Sequence, residues 1–282
     1  MNYRALWELT RFEHALMYGF AVLIGAIISG GELHRVPVIS GMLTAIFVEM
    51  GTFALNDYFD LEVDRRNERY DRPLVRGDLK PEVALYLGII TIPLGILFSA
   101  FINIYCFLVA LSVALLGVYY DIRMKEFGIA GNLYIAFSMA IPFLFGGFIT
   151  LSLTKSLLIL FLIAFTAGFG REVMKGIMDI EGDALRNVRS VARVMGIGAA
   201  KRISASSYLL AILFSPVPFL LPGKYHGDLL YLFFIILSDL LFLKATFELL
   251  KKEGIDFIRK LRKETLYATL FGLIGFLLGA VF

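Results

Sequence analysis

The sequence predicts an all-α protein that crosses a membrane nine times. Three observations predict it. Hydrophobic residues make up 59% of the 282 residues and the mean hydropathy is +0.78, whereas soluble domains stay near about 45–50% apolar. The apolar residues gather into nine runs long enough for a helix to cross a bilayer. The basic residues fall almost entirely on alternate sides of those runs. The runs are continuous rather than alternating, which excludes a β-barrel.

Taken in order, the expected spans are His14–Gly30, Val36–Leu55, Val83–Ile102, Ile104–Tyr120, Gly131–Thr150, Ser156–Gly170, Ile203–Leu221, Leu229–Leu250 and Thr265–Phe282. The stretch before the first span mixes Arg4 and Arg11 with Glu8 and Glu13. It lacks the basic start and small-residue cleavage site of a signal peptide, so the first span is expected to be retained. Pro93 and Pro142 lie inside spans and are expected to kink them. The segments 1–13, 56–82, 121–130, 171–202 and 251–264 hold 23 of the 27 Lys and Arg, and the opposite loops hold only Arg35, Lys155 and Lys224. The positive-inside rule then puts the amino terminus and the charged loops in the cytoplasm and the carboxy terminus outside. One domain, 1–282, is expected. A single cysteine, Cys106, and three histidines argue against a disulfide, a CxxC site or a histidine-built metal site. No nucleic-acid partner is expected.

Two of the charged loops begin with acids. The second span runs into Asn56-Asp57-Tyr58-Phe59-Asp60-Leu61-Glu62-Val63-Asp64. Asn56, Asp60 and Asp64 are spaced i, i+4, i+8, which puts them on one helical stripe with Asp57 at its edge. Like charges in that register repel, and a hard divalent cation reverses the sign. After the sixth span comes Asp179-Ile180-Glu181-Gly182-Asp183. Extending that helix backwards puts Lys175 and Glu172 on the stripe of Asp179 and Asp183.

Basic residues follow both acidic stretches: Arg65, Arg66, Arg69, Arg72, Arg76 and Lys80 after the first, and Arg186, Arg189 and Arg193 after the second. Tyr119-Tyr120-Asp121-Ile122-Arg123-Met124-Lys125 lies between them. Carboxylates for Mg²⁺ beside Arg and Lys suit a diphosphate. Such a leaving group departs once its growing charge is neutralised. A membrane bundle suits an isoprenoid tail, and exclusion of water protects the resulting allylic cation from becoming an alcohol. Anchoring at the membrane surface accounts for most loop arginines and for the basic stretch Lys251–Lys263.

The chain resembles the UbiA superfamily of intramembrane prenyltransferases over most of its length. Asn56, Asp57, Asp60 and Asp64 match N-D-x-x-D-x-x-x-D, and Arg72-Pro73-Leu74-Val75-Arg76-Gly77 matches R-P-L-x-x-G. Tyr120 and Lys125 match Y-S-x-x-L-K, with Asp121 where serine is usual. Gly131-Asn132 matches G-N, and Asp179 and Asp183 match the second motif, with Gly176 where many relatives carry an acid.

The resemblance implies nine helices around a central cavity, a cytoplasmic helical cap and Mg²⁺ on a prenyl diphosphate such as geranylgeranyl diphosphate. It assigns Asn56, Asp60, Asp64, Asp179 and Asp183 to the metal. Arg72, Tyr120, Lys125 and Lys175 go to the diphosphate, and Asp60, Asp183 and Lys175 to catalysis. His14 is nominated for the acceptor. Arg11-Phe12-Glu13-His14 is similar to members that prenylate hydroxybenzoate, so a 4-hydroxybenzoate-like acceptor is expected. The alternative is geranylgeranylglyceryl phosphate, the glycerol-ether acceptor of archaeal lipid synthesis. Outside the family, the competing classes are a cation transporter and a CDP-alcohol phosphotransferase. Transporter sites sit near the bilayer midplane, not at helix ends on one side, and the phosphotransferases need one compact motif.

Overall fold

A computed structural model gives the architecture, and it describes residues 2–66, 68–185 and 188–281, the side chains of 181, 182 and 185 excepted. Arg186 and Phe282 lie outside the described residues. All the regular structure among the described residues is helical. The first span is a bent pair, α1 (Tyr3–Thr10) and α2 (Phe12–Ile28), which meet at 49° across Arg11. Arg11 takes a left-handed backbone with φ of 43°. The other spans are α3 (Arg35–Arg66), α5 (Pro81–Ala100) after the short α4 (Pro73–Arg76), α6 (Ile104–Ile122), α7 (Ile129–Ile149) and α8 (Lys155–Met178). Two short helices, α9 (Ile180–Leu185) and α10 (Val191–Met195), lead to α11 (Ile197–Phe214) with its extension α12 (Val217–Leu220). The chain ends with α13 (Leu229–Lys251) and α14 (Ile255–Val281). Among the described residues eight helices are long and apolar enough to cross a membrane, or nine with the bent pair taken as one span.

The expected spans all appear, with longer ends where charged residues continue a helix. α3 runs eleven residues past Leu55, so the first acidic stretch is helical throughout. α14 begins ten residues before Thr265. α5 and α7 run without a break through Pro93 and Pro142.

Small residues let the helices approach closely. Helices in lipid gain little from excluding water, so close backbone contact carries more of their association. α2 crosses α7 where a Cβ on Gly25 would strike the carbonyl oxygen of Phe143 and one on Gly146 that of Val22. This crossing divides the bundle. α3, α5 and α6 pack on one side, and α8, α11, α13 and α14 on the other. Large apolar side chains such as Ile89, Ile90, Leu97, Leu115, Leu213 and Leu240 stay exposed on the outer faces, where a membrane protein meets lipid. Lys244 of α13 is paired with Glu264 of α14 at 3.0 Å.

We expect Gly25→Val to lower thermal stability in detergent by about 1–3 kcal/mol, because overpacking would force α2 away from α7. Gly176→Ala should change it by less than about 0.5 kcal/mol, since a Cβ there meets only Ser190 Cβ at 3.6 Å. Melting curves of the two variants check the contrast.

Candidate active site

A cavity of about 240 Å³ lies among α2, α3, α6, α7, α8 and α14. Its far end is apolar, with Val22, Ala45, Val48, Val109, Ala110 and Phe145. Its mouth is polar, with Arg11, His14, Asn56, Tyr120, Asp121 and Lys175. Thr44 and Asn56, which bracket its α3 wall, are twelve residues apart. At helical rise that is about 18 Å, a depth suited to a chain of several isoprene units.

The helical continuation of α3 sorts the first acidic stretch onto two faces. Asn56 lines the cavity and its Nδ2 donates to Asp121 Oδ1 at 2.8 Å. Asp121 is only 4% exposed, so the acid that replaces the usual serine is a built partner of the motif. Asp60 forms an ion pair with Lys125. Asp57 is 2% exposed, and its Oδ1 accepts from Arg11 at 3.0 Å and Arg72 at 2.7 Å. Arg72 Nε lies 3.9 Å from Asp64 Oδ2. Arg72 thus ties Asp57 and Asp64 to the start of α4. Arg11 also lies 4.3 Å over the ring of Phe53.

The second acidic stretch has a break in its helix. Asp179 is the C-cap of α8, exposed, and Asp183 lies one turn on in α9, its backbone N–H bonded to the Asp179 carbonyl at 2.7 Å. Lys175 Nζ reaches both oxygens of Glu172 at 2.8 and 2.9 Å. Arg193 donates to the backbone carbonyls of Asp183 and Val188, so this arginine fastens the loop. That loop also packs on the other polar segment. Arg189 N–H bonds to the Glu126 carbonyl at 3.1 Å, and Gly128, with φ of 59°, leaves room for the Arg189 carbonyl. The two stretches face one space: Arg69 lies within electrostatic reach of Asp64 and Asp179, and Tyr120 within reach of Asp60 and Asp183. Arg69 itself makes two hydrogen bonds to Asp71, which hold that loop carboxyl below its ordinary range.

Tyr120 lies inside the cavity, its ring 5.5 Å from Tyr134, while Tyr119 is the exposed one. His14 lines the wall. Sequence reading missed Glu49, Arg171 and Arg262, which also line the cavity. Glu49 had a signal, an acid in mid-span; Arg262 had none, since it sits in a stretch that reads as membrane anchoring.

Among the described residues no three acidic, histidine or cysteine side chains gather closely enough to hold a metal alone. The donors at the mouth nevertheless fit Mg²⁺, because all are oxygens and Mg²⁺ takes one or two carboxylates and completes its shell with water and substrate phosphate.

The family described as the UbiA prenyltransferase family matches residues 18–257. The chain belongs to that family. It is a prenyltransferase by this membership. It is 46% identical over 279 residues, covering 98% of this chain and 95% of the relative, to a digeranylgeranylglyceryl phosphate synthase of Archaeoglobus fulgidus. A solved structure described as digeranylgeranylglyceryl phosphate synthase in membranes is 30% identical and superposes with a TM-score of 0.76, covering 99% of this chain and 98% of that one. A UbiA homologue of A. fulgidus bound to GPP and Mg²⁺ shares the fold at 18% identity and TM-score 0.66, covering 96% of this chain and 98% of that one.

Asp57→Ala would leave Arg11 and Arg72 facing each other without their carboxylate. It should cost on the order of 3 kcal/mol, read as a lower melting temperature, whereas Asp71→Ala at the exposed loop should move it little.

Proposed function

We propose that this prenyltransferase joins a geranylgeranyl group from geranylgeranyl diphosphate to the free hydroxyl of geranylgeranylglyceryl phosphate. The observation that carries the reading is the 46% identity, over almost the whole of both chains, with a relative of that name. The same likeness favours the glycerol-ether acceptor over the aromatic one.

The residues take these roles. Asn56, Asp60, Asp64, Asp179 and Asp183 hold Mg²⁺ on the diphosphate, as the Mg²⁺-bound relative suggests. When bound, the ion withdraws charge from the leaving group. Arg72, Lys125, Lys175 and the Tyr120 hydroxyl hold diphosphate oxygens, and the tail runs into the apolar end of the cavity. The C–O bond to the diphosphate breaks with both electrons going to oxygen. The glycerol oxygen bonds to the allylic carbon and its proton passes to a diphosphate oxygen. Lys125 and Lys175 neutralise the developing charge, and the apolar wall excludes water. Asp60 and Asp183 set the metal and so control the rate, while His14 stands at the acceptor side. The chain acts as one domain, with the acidic end of the bundle on the cytoplasmic side, a placement supported by the basic residues clustered there.

Product mass tests this. Purified protein with geranylgeranyl diphosphate and Mg²⁺ should convert geranylgeranylglyceryl phosphate to the diether and leave 4-hydroxybenzoate unchanged. Prenylated benzoate as the main product would overturn the acceptor. Asp60→Ala and Asp183→Ala should each lower turnover at least about a thousandfold with melting curves near wild type, and chelation should stop the reaction until Mg²⁺ is restored. Undiminished turnover in either variant would refute the metal assignment.

A further inference from the structure

Beside the cavity used by the chemistry above, a further one opens among the described residues. The second, of about 120 Å³, lies among α2, α7, α8, α11, α13 and α14. Its lining is mostly apolar, with Ala21, Ile163, Ala164, Ala167, Phe242 and Phe276. His14, Tyr18, Met139 and Arg171 line both cavities, so the two meet there. Farther from the mouth, the glycine contact of α2 with α7 shuts them apart.

Positive charge gathers at this junction. Arg171 comes from α8 and Arg262 from α14; both line the first cavity, and each lies within electrostatic reach of the other. Arg171 Nε donates to Thr265 Oγ1 at 3.2 Å, a neutral partner. Among the described residues neither guanidinium is ion-paired with a carboxylate. Glu172 is already held by Lys175, and it, Asp179 and Asp71 act on Arg262 electrostatically without an ion pair. Two like charges on the wall of one cavity repel until an anion joins them. Paired arginine forks suit a phosphate monoester.

We infer that the junction is the acceptor's site: Arg171 and Arg262 hold the phosphate monoester of a prenylglyceryl phosphate, and the second cavity takes the chain that acceptor already carries. This rests on the acceptor named in the proposed function. Such a glycerol has three arms, and the site has three parts. The phosphate goes to the arginines and the ether-linked chain to the second cavity. The remaining hydroxyl faces the first cavity, where the donor's allylic carbon lies. About half the size of the first cavity, the second receives the isoprene units next to the glycerol. No bond changes at this site; it positions the nucleophile.

Calorimetric binding of geranylgeranylglyceryl phosphate to the full-length protein, without donor, tests the site apart from turnover. Arg171→Gln and Arg262→Gln should each weaken binding on the order of tenfold, and lysine at either position should recover part of it. The loss should be smaller for phosphate-free geranylgeranylglycerol. Ala164→Phe, which fills the second cavity from α8, should weaken both prenylated ligands and leave the KM for geranylgeranyl diphosphate within about twofold. Arg259→Gln, exposed on α14, is the control. Equal losses for the two ligands in the glutamine variants, or a matching rise in the donor KM, would overturn the site. Wild-type protein that binds the phosphate ligand yet makes no diether would refute the proposed function and leave the site standing. Wild-type protein that does not bind it would refute the site.

Discussion

The approach of α2 to α7 sets the plan of the whole interior. Backbone touches backbone there, because Gly25 and Gly146 place no side chain in the gap. Two helices that meet so tightly near one end of the bundle leave room between them and their neighbours near the other. The cavities flank this crossing, and the wall between them thins to Tyr18 and Met139 on the side of the acidic motifs. A wider residue at either glycine would act on the floor of both cavities at once.

Charge organises the opposite end. Burying Asp57 is costly unless its charge is met, and two arginines meet it from different parts of the chain. Arg11 is also the bend between α1 and α2, and Arg72 begins α4. One carboxylate therefore fixes the amino-terminal helices, the end of α3 and the loop beyond it relative to one another. Arg76, paired with Glu8 and with Asp78, ties the same pieces a second time.

Most of the fold could be read in the sequence, because in a membrane chain the solvent dictates where apolar runs must lie. Asp60 and Asp64 could be read as a candidate site because acids at helical spacing oppose their own helix. Asp57 reads as an edge residue, and only packing shows it as the anchor. Arg262 could not be read at all, since a cavity-lining arginine and an anchoring one look alike until α14 is docked beside α8. Tyr119 and Tyr120 show the same limit: of two adjacent tyrosines one is exposed and one lines the cavity, and their identity does not say which. The acceptor could not be read from the motifs, because their carboxylates and arginines speak to a cation and a diphosphate and not to a second substrate.

The pairing of Lys125 with Asp60 and of Lys175 with Glu172 gives the mouth an internal electrical balance. On the proposed roles, an anion at the mouth would exchange partners instead of filling vacant charges. Lys125 would give up Asp60 as it takes a phosphate oxygen, and that carboxylate would then be open to a cation. Anion and metal would help each other in, their affinities coupled through a pair of side chains that neither ligand finds idle.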